Sequence, residues 1–330
     1  MHSRIYYRPI PVSHGGTWCL AGGWCGFSTF EKLQRGRPPV IVDTAPDEVL
    51  QALTRPRSQL LGLTLDEPRL MGIVNATPDS FSDGGSYDPV EQAENLLASG
   101  AEILDIGGES TRPGAVDVDC AEEISRIDPV IRAMRGHVPI SIDTRKADVA
   151  AAALKAGAGL VNDVSGFDYD PAIPDVVAQN AVPVCLMHAQ GVPRTMQDNP
   201  SYDDVLLDVY DALEQRIEHA RSAGIPLHRI VIDPGIGFGK TQAHNLAIMR
   251  RISLYHGLGC PILLGVSRKR FIGTIGGADK ADDRMAGTLA LTLAAIDQGV
   301  QIHRVHDVAD IRQGIRLWQA VNKNTEAAQE

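Results

Sequence analysis

Residues 71–85 read MGIVNATPDSFSDGG: an apolar run stops on Asn75 and gives way to a polar, glycine-punctuated loop. Taken alone, this is a strand followed by an ordinary turn. The pattern recurs, however, as AEILDIGGESTRPG (101–114), VPISIDT (138–144), GLVNDVSG (159–166), VPVCLMHAQG (182–191), RIVIDPGIGFGK (229–240), PILLGVSRK (261–269) and VQIHRVHD (300–307). Each run ends on hydrogen-bonding or charged side chains. Stretches with helical spacing follow, over 90–99, 121–135, 146–156, 172–179, 203–222, 242–254, 282–297 and 308–318. Val205, Val209, Leu213 and Ile217 in the fifth of these share one face of a helix. Near-continuous apolar strands, each followed by a helix, predict a parallel sheet covered on its outer side. Eight such units within residues 69–322 match the ~250 residues of a barrel. The predicted fold class is therefore α/β, a (β/α)8 TIM barrel with a small N-terminal extension. An open doubly wound sheet ranks second, because it does not normally place a functional residue at nearly every strand's carboxyl end.

Composition bounds the function. With 330 residues, 44% of them hydrophobic and only 5% aromatic, the chain can bury one large aliphatic core. No apolar run approaches the ~20 residues of a membrane span, and the amino terminus lacks the apolar core of a secretion signal. The five cysteines are odd in number and form no CxxC pair, which predicts reduced thiols in a cytoplasm and no zinc site. A net charge of −10 without a basic stripe argues against nucleic-acid binding. An acidic protein that handles an anion must gather its positive charge locally. Ser267, Arg268, Lys269 and Arg270 follow the seventh strand and Arg304 and His306 close the eighth, where barrels often bind phosphate. Of these, Lys269, Arg304 and His306 read as functional and Arg270 as a solvated surface charge.

Asp143, Asn162 and Asp233 end three different strands, so a barrel would converge them on one cavity. Carboxylates and amides there need partners once desolvated, and a nitrogen-rich heterocycle offers a row of donors and acceptors. Asp163 and Asp307 read instead as helix caps or loop-amide acceptors, and His188 as a satisfied core or rim histidine. GIGFGKT (235–241) is not a phosphate loop, because Pro234 stands where GxxxxGK[ST] needs glycine. Nor is it GxGxxG, since Lys240 replaces the third glycine. Its glycines suit a loop passing close to a flat ligand, with Phe238 as an apolar wall.

NATPDSFSDGG (75–85), GGESTRPGA (107–115), SIDT (141–144), ND (162–163), DPGIGFGK (233–240), SRK (267–269) and RVHDV (304–308) together resemble the dihydropteroate synthase family. The resemblance implies condensation of 6-hydroxymethyl-7,8-dihydropterin pyrophosphate with 4-aminobenzoate, giving 7,8-dihydropteroate and pyrophosphate on the route to folate. It assigns Asp143, Asn162, Asp233 and Lys269 to the pterin. Asn75, Arg304 and His306 fall to the pyrophosphate, with Asn75 also holding Mg2+. Thr111, Arg112, Pro113 and Phe238 enclose the 4-aminobenzoate, and Asp83 in the first loop joins Lys269, Asp233, Arg304 and His306 as catalytic. It further implies a homodimer. Where many relatives follow the SRK lysine with serine, this chain has Arg270. A pterin-dependent methyltransferase or a non-catalytic pterin-binding protein would share the barrel, but would not need the anion residues or the loop residues. A sugar-phosphate isomerase would need a carboxylate base, for which Glu109 is the candidate. Residues 1–68 lie outside the resemblance. In them TWCLAGGWCGF (17–27) hints at a small strand pair that packs on the barrel's underside or on a second subunit. Residues 323–330 form a polar tail.

Overall fold

Eight short strands with apolar outer faces form the centre of the computed structural model, which describes residues 4–77, 88–110, 117–191 and 196–322. They are β5 (Arg69–Asn75), β6 (Ile103–Gly107), β7 (Ile140–Asp143), β8 (Leu160–Asp163), β9 (Val184–Met187), β10 (Ile230–Asp233), β11 (Leu263–Leu264) and β12 (Ile302–Val305). All pairings are parallel, in the order β10-β9-β8-β7-β6-β5-β12-β11, and a parallel bridge from Ile232 to Ile262 closes the ring. Helices α2 (Pro89–Ala98), α3 (Cys120–Met134), α4 (Ala147–Ala156), α5 (Ile173–Asn180), α6 (Val205–Ser222) and α7 (Gln242–Arg250) link successive strands. Two more, α8 (Arg270–Gly276) and α9 (Met285–Ile296), separate β11 from β12, and α10 (Val308–Asn322) closes the sequence. Leu70, Val74, Leu104, Ile106, Ile142, Val161 and Ile232 face these helices in one large core. Gly72 keeps the packing close there, because a β-carbon would press on Ala101 and Leu96 at 3.2 and 3.4 Å.

The inner faces are layered by strand position, because side chains alternate across each strand. Met71, Ile103, Leu160, Cys185, Val231, Leu263 and Ile302, near the strand starts, pack with Leu60 and Leu65 into an apolar floor. One layer higher the lining turns polar, with Asp105, Asp143, Asn162, Asp233 and Arg304.

Two helices differ from expectation. The stretch 242–254 ends as α-helix at Arg250, since Arg251 (φ −135°) leaves helical geometry, and a 3-10 segment, Ile252–Leu258, follows. The stretch 282–297 opens as a 3-10 turn, Asp282–Arg284, before α9, and α8 was not anticipated at all. The amino-terminal segment is richer than a strand pair. An antiparallel sheet of β1 (Ile5–Val12), β2 (Trp18–Cys19), β3 (Gly26–Gln34) and β4 (Val40–Val42) precedes α1 (Asp47–Thr54). Phe27, Phe30, Leu20, Leu53 and Cys25 give it a core of its own. It docks on the barrel's flank: Trp24 donates its indole N–H to Ile296 O (2.8 Å), Arg57 donates to His256 O (2.9 Å) and Ser253 donates to Pro9 O (3.0 Å). The underside itself is covered by the Leu60–Leu65 turn.

Candidate active site

Strand register brings the predicted residues to one mouth. Asn75 pairs with Gly107, Gly107 with Asp143, and Asp143 with Asn162, so four strand ends lie side by side. Arg304 reaches across from β12: its Nε donates to Asp105 Oδ2 (2.5 Å) and its Nη2 to Asp143 Oδ2 (2.7 Å). Asn162 Nδ2 donates to the same Asp105 oxygen (3.1 Å). The remaining oxygens, Asp105 Oδ1 and Asp143 Oδ1, are buried with no hydrogen-bond partner. Orphaned acceptors of this kind are rare in a finished fold and mark a place for a donor.

Electrostatics follow from that crowding. Burial pushes the Asp143 carboxyl up to about 7; Arg304 opposes the rise, and Asp105 adds to it. One guanidinium serves two carboxylates, so one of them holds its proton unusually well. Burial works against the Arg304 charge, but Asp105 and Asp143 outweigh it and keep its pKa above the ordinary value. On β10, burial lifts Asp233 to about 6, while the Gly235 amide (2.7 Å) and the Lys269 charge pull it down. Lys269 immediately precedes α8, and its Nζ lies 4.1 Å from the centre of the Phe238 ring, a cation–π contact. A β-carbon at Gly237 would come within 3.2 Å of Lys269 Cδ, so the loop and this lysine are in close contact. His306 Nδ1 meets Ser267 Oγ at 2.9 Å, and the His306 amide donates to the same oxygen at 3.1 Å. Ser267 thus ties the ends of β11 and β12 together.

A model of the family described as pterin binding enzyme matches residues 71–306. Dihydropteroate synthase of Neisseria meningitidis serogroup B is 46% identical over 270 residues, which cover 79% of this chain and 95% of the relative. The chain belongs to the dihydropteroate synthase family. The Escherichia coli K12 dihydropteroate synthase is 41% identical, with 80% and 95% covered. Among solved structures, Xanthomonas albilineans dihydropteroate synthase with 4-aminobenzoic acid superposes with a TM-score of 0.74 at 47% identity, over 78% of this chain and 94% of that one. The same enzyme in complex with 7,8-dihydropteroate gives 0.71 at 43%. The family match begins at residue 71, so the four-stranded sheet and the Leu60–Leu65 turn lie ahead of it.

Placed in this dihydropteroate synthase barrel, Asn75, Asp143, Asn162, Asp233, Lys269, Arg304 and His306 all stand at or just beyond strand ends, with Phe238 in the loop after β10. Asp83, Thr111, Arg112 and Pro113 lie outside the described residues. Asp163 accepts from the Ser165 and Phe167 amides (2.8 and 2.7 Å), as a loop acceptor. Asp307 departs from expectation: its carboxylate receives Arg268 Nη2 (2.5 Å) and Nε (3.1 Å), because Arg268, at φ +57°, turns back toward α10. Arg268 is therefore a structural clamp, and Arg270 is exposed. Glu109 is held by Arg145 (2.9 Å) and Lys146 (2.8 Å); burial would raise its pKa, yet those cations keep it low. A carboxylate so committed is a poor base for the isomerase alternative. Sequence reasoning passed over Asp105, which lies two residues before the end of β6. The inward period of two through Ile103, Asp105 and Gly107 was the available signal.

Proposed function

We propose that this family member condenses 6-hydroxymethyl-7,8-dihydropterin pyrophosphate with 4-aminobenzoate to form 7,8-dihydropteroate and release pyrophosphate. The observation that carries this reading is the convergence of Asp143, Asn162 and Asp233 with Arg304 and Lys269 at one mouth, two carboxylate oxygens being left without donors. A pterin's amide and amino edge supplies such N–H groups. Asp143, Asn162, Asp233 and Lys269 together take that edge and the ring nitrogens. Arg304 and His306, backed by Ser267, receive the leaving pyrophosphate.

Chemistry then consists of separating charge. The bond from the pterin methylene to the pyrophosphate oxygen breaks, the arylamine nitrogen bonds to that carbon, and the nitrogen gives up one proton. Arg304 and Lys269 stabilise the departing anion, and Asp233 supports the electron-poor ring. Asp83 in the first loop and Thr111, Arg112 and Pro113 in the second complete, with Phe238, the 4-aminobenzoate enclosure. Among the described residues, no group of three or more His, Cys, Asp or Glu side chains is placed to hold a metal. Asn75 alone offers a hard amide oxygen at the end of β5, which fits Mg2+ only when substrate phosphates complete its shell. Mg2+ held in this way would add charge neutralisation at the leaving group.

The exposed apolar side chains Leu317 and Val321 on α10 support a homodimer through the barrel helices, to be tested by sedimentation. A cytoplasmic location is supported by the five free thiols; no described helix is long and apolar enough to cross a membrane. Incubating the purified protein with the pterin pyrophosphate and 4-aminobenzoate, with and without magnesium, tests the activity. Dihydropteroate and pyrophosphate in equal amounts are expected. Tight pterin binding without product would favour a non-catalytic binding protein.

A further inference from the structure

Lys240 is a buried amine, its pKa lowered to about 7 by that burial, and the reaction above does not use it. Its Nζ donates to Gly235 O (2.9 Å), Phe238 O (3.1 Å) and His188 O (3.2 Å), and meets His188 Nδ1 at 2.9 Å. The loop it gathers is unusual in shape. Gly235, Gly237 and Gly239 all have positive φ (+68°, +84° and +60°). A β-carbon would lie 1.9 Å from His188 O at Gly235 and 2.4 Å from Gln190 O at Gly239, so the β10 loop is pressed onto the β9 loop. Two carbonyls that Lys240 does not take are claimed from outside: Gln197 Nε2 donates to Gly237 O (2.6 Å) and Tyr202 Oη to Gly239 O (2.7 Å).

We infer that Lys240 is a positioning residue: by tying the carbonyls of His188, Gly235 and Phe238 to one nitrogen, it sets the Phe238 ring beneath Lys269 and so shapes the arylamine side of the site. The inference rests on the reading of Phe238 and Lys269 as the wall of the substrate site. Geometry gives it direction. Asp143 and Asn162 are held by Arg304 and Asp105, on the far strands, and do not depend on the knot; Asp233 meets it through the Gly235 amide but is itself fixed on β10. Phe238 is held through its own carbonyl and through both neighbouring glycines. Loss of Lys240 therefore acts on the second substrate more than on the first. It also acts through orientation, since the Lys240 nitrogen is enclosed by the loop backbone.

The test is steady-state turnover by wild type, Lys240→Met and Tyr202→Phe, with each substrate varied in turn and pterin pyrophosphate binding measured separately by calorimetry. Lys240→Met removes the donors while keeping an unbranched side chain one heavy atom shorter. It is expected to raise the KM for 4-aminobenzoate at least about tenfold, with the pterin dissociation constant changed less than about threefold. Tyr202→Phe frees the Gly239 carbonyl without burying a new polar group and should raise the same KM about threefold. Equal losses for both substrates, or an unchanged arylamine KM in Tyr202→Phe and in any soluble Lys240 variant, would overturn the assignment. Wild-type protein that makes no product would instead overturn the synthase reading itself, so the two failures are distinct.

Discussion

Lys269 and Asp233 belong to neighbouring strand ends, and the Lys269 charge favours the Asp233 carboxylate, so removing either weakens the other. Lys269→Ala and Asp233→Ala are each expected to weaken pterin binding and cut product formation by about 100-fold or more, the scale of a lost charged hydrogen bond in a dry site. Near-normal rates in both would remove them from the site. Protonation adds a second test. Asp233 titrates near 6 in the fold, above its value in an unfolded chain. Its contribution to stability is thus fully present below the unfolded value and is lost as pH rises through about 6. Pterin binding wants the carboxylate and should run the opposite way, strengthening as pH rises through that point. Calorimetric titration and thermal melts across the same pH series check both signs. Among single residues, those ending strands were legible because packing gives Asp or Asn no reason to be there. Asp105 and Lys240 were not, since one sits inside its strand and the other resembles a broken phosphate loop.

At the scale of elements, the floor of the barrel separates stability from catalysis. Leu60 is buried against strand starts, far from the polar layer. Leu60→Ala should cost about 2–4 kcal/mol of stability in chemical denaturation while leaving both KM values unchanged. An altered KM would mean that the floor is coupled to the mouth. The strand–helix alternation was readable because the hydrophobic period switches from near-continuous to 3.6 eight times over. Less was readable where elements are short or irregular. RFIGTIG, forming α8, has only seven residues and two glycines, too few to show a period. In β1 the prolines at 9 and 11 argue against a strand, and they are tolerated because β1 is an edge of its sheet with a register shift between them.

For the whole molecule, the question is whether sheet and barrel unfold together. Glu31 on β3 is nearly buried and accepts from Arg8 on β1 (2.6 Å) and from Arg251, just after α7 (3.0 Å), so one carboxylate belongs to both parts. Those cations hold it below its ordinary pKa against the effect of burial. Glu31→Ala should destabilise the protein by about 2 kcal/mol, less than a fully buried pair would cost because Arg251 is partly exposed. The loss should appear as one shifted transition, with tryptophan fluorescence and far-UV dichroism coincident. Two separated transitions would show that the sheet melts alone. The stoppered base has a further consequence at this scale. With Leu60 and Leu65 filling one end, the barrel is a cul-de-sac, with no passage through its floor.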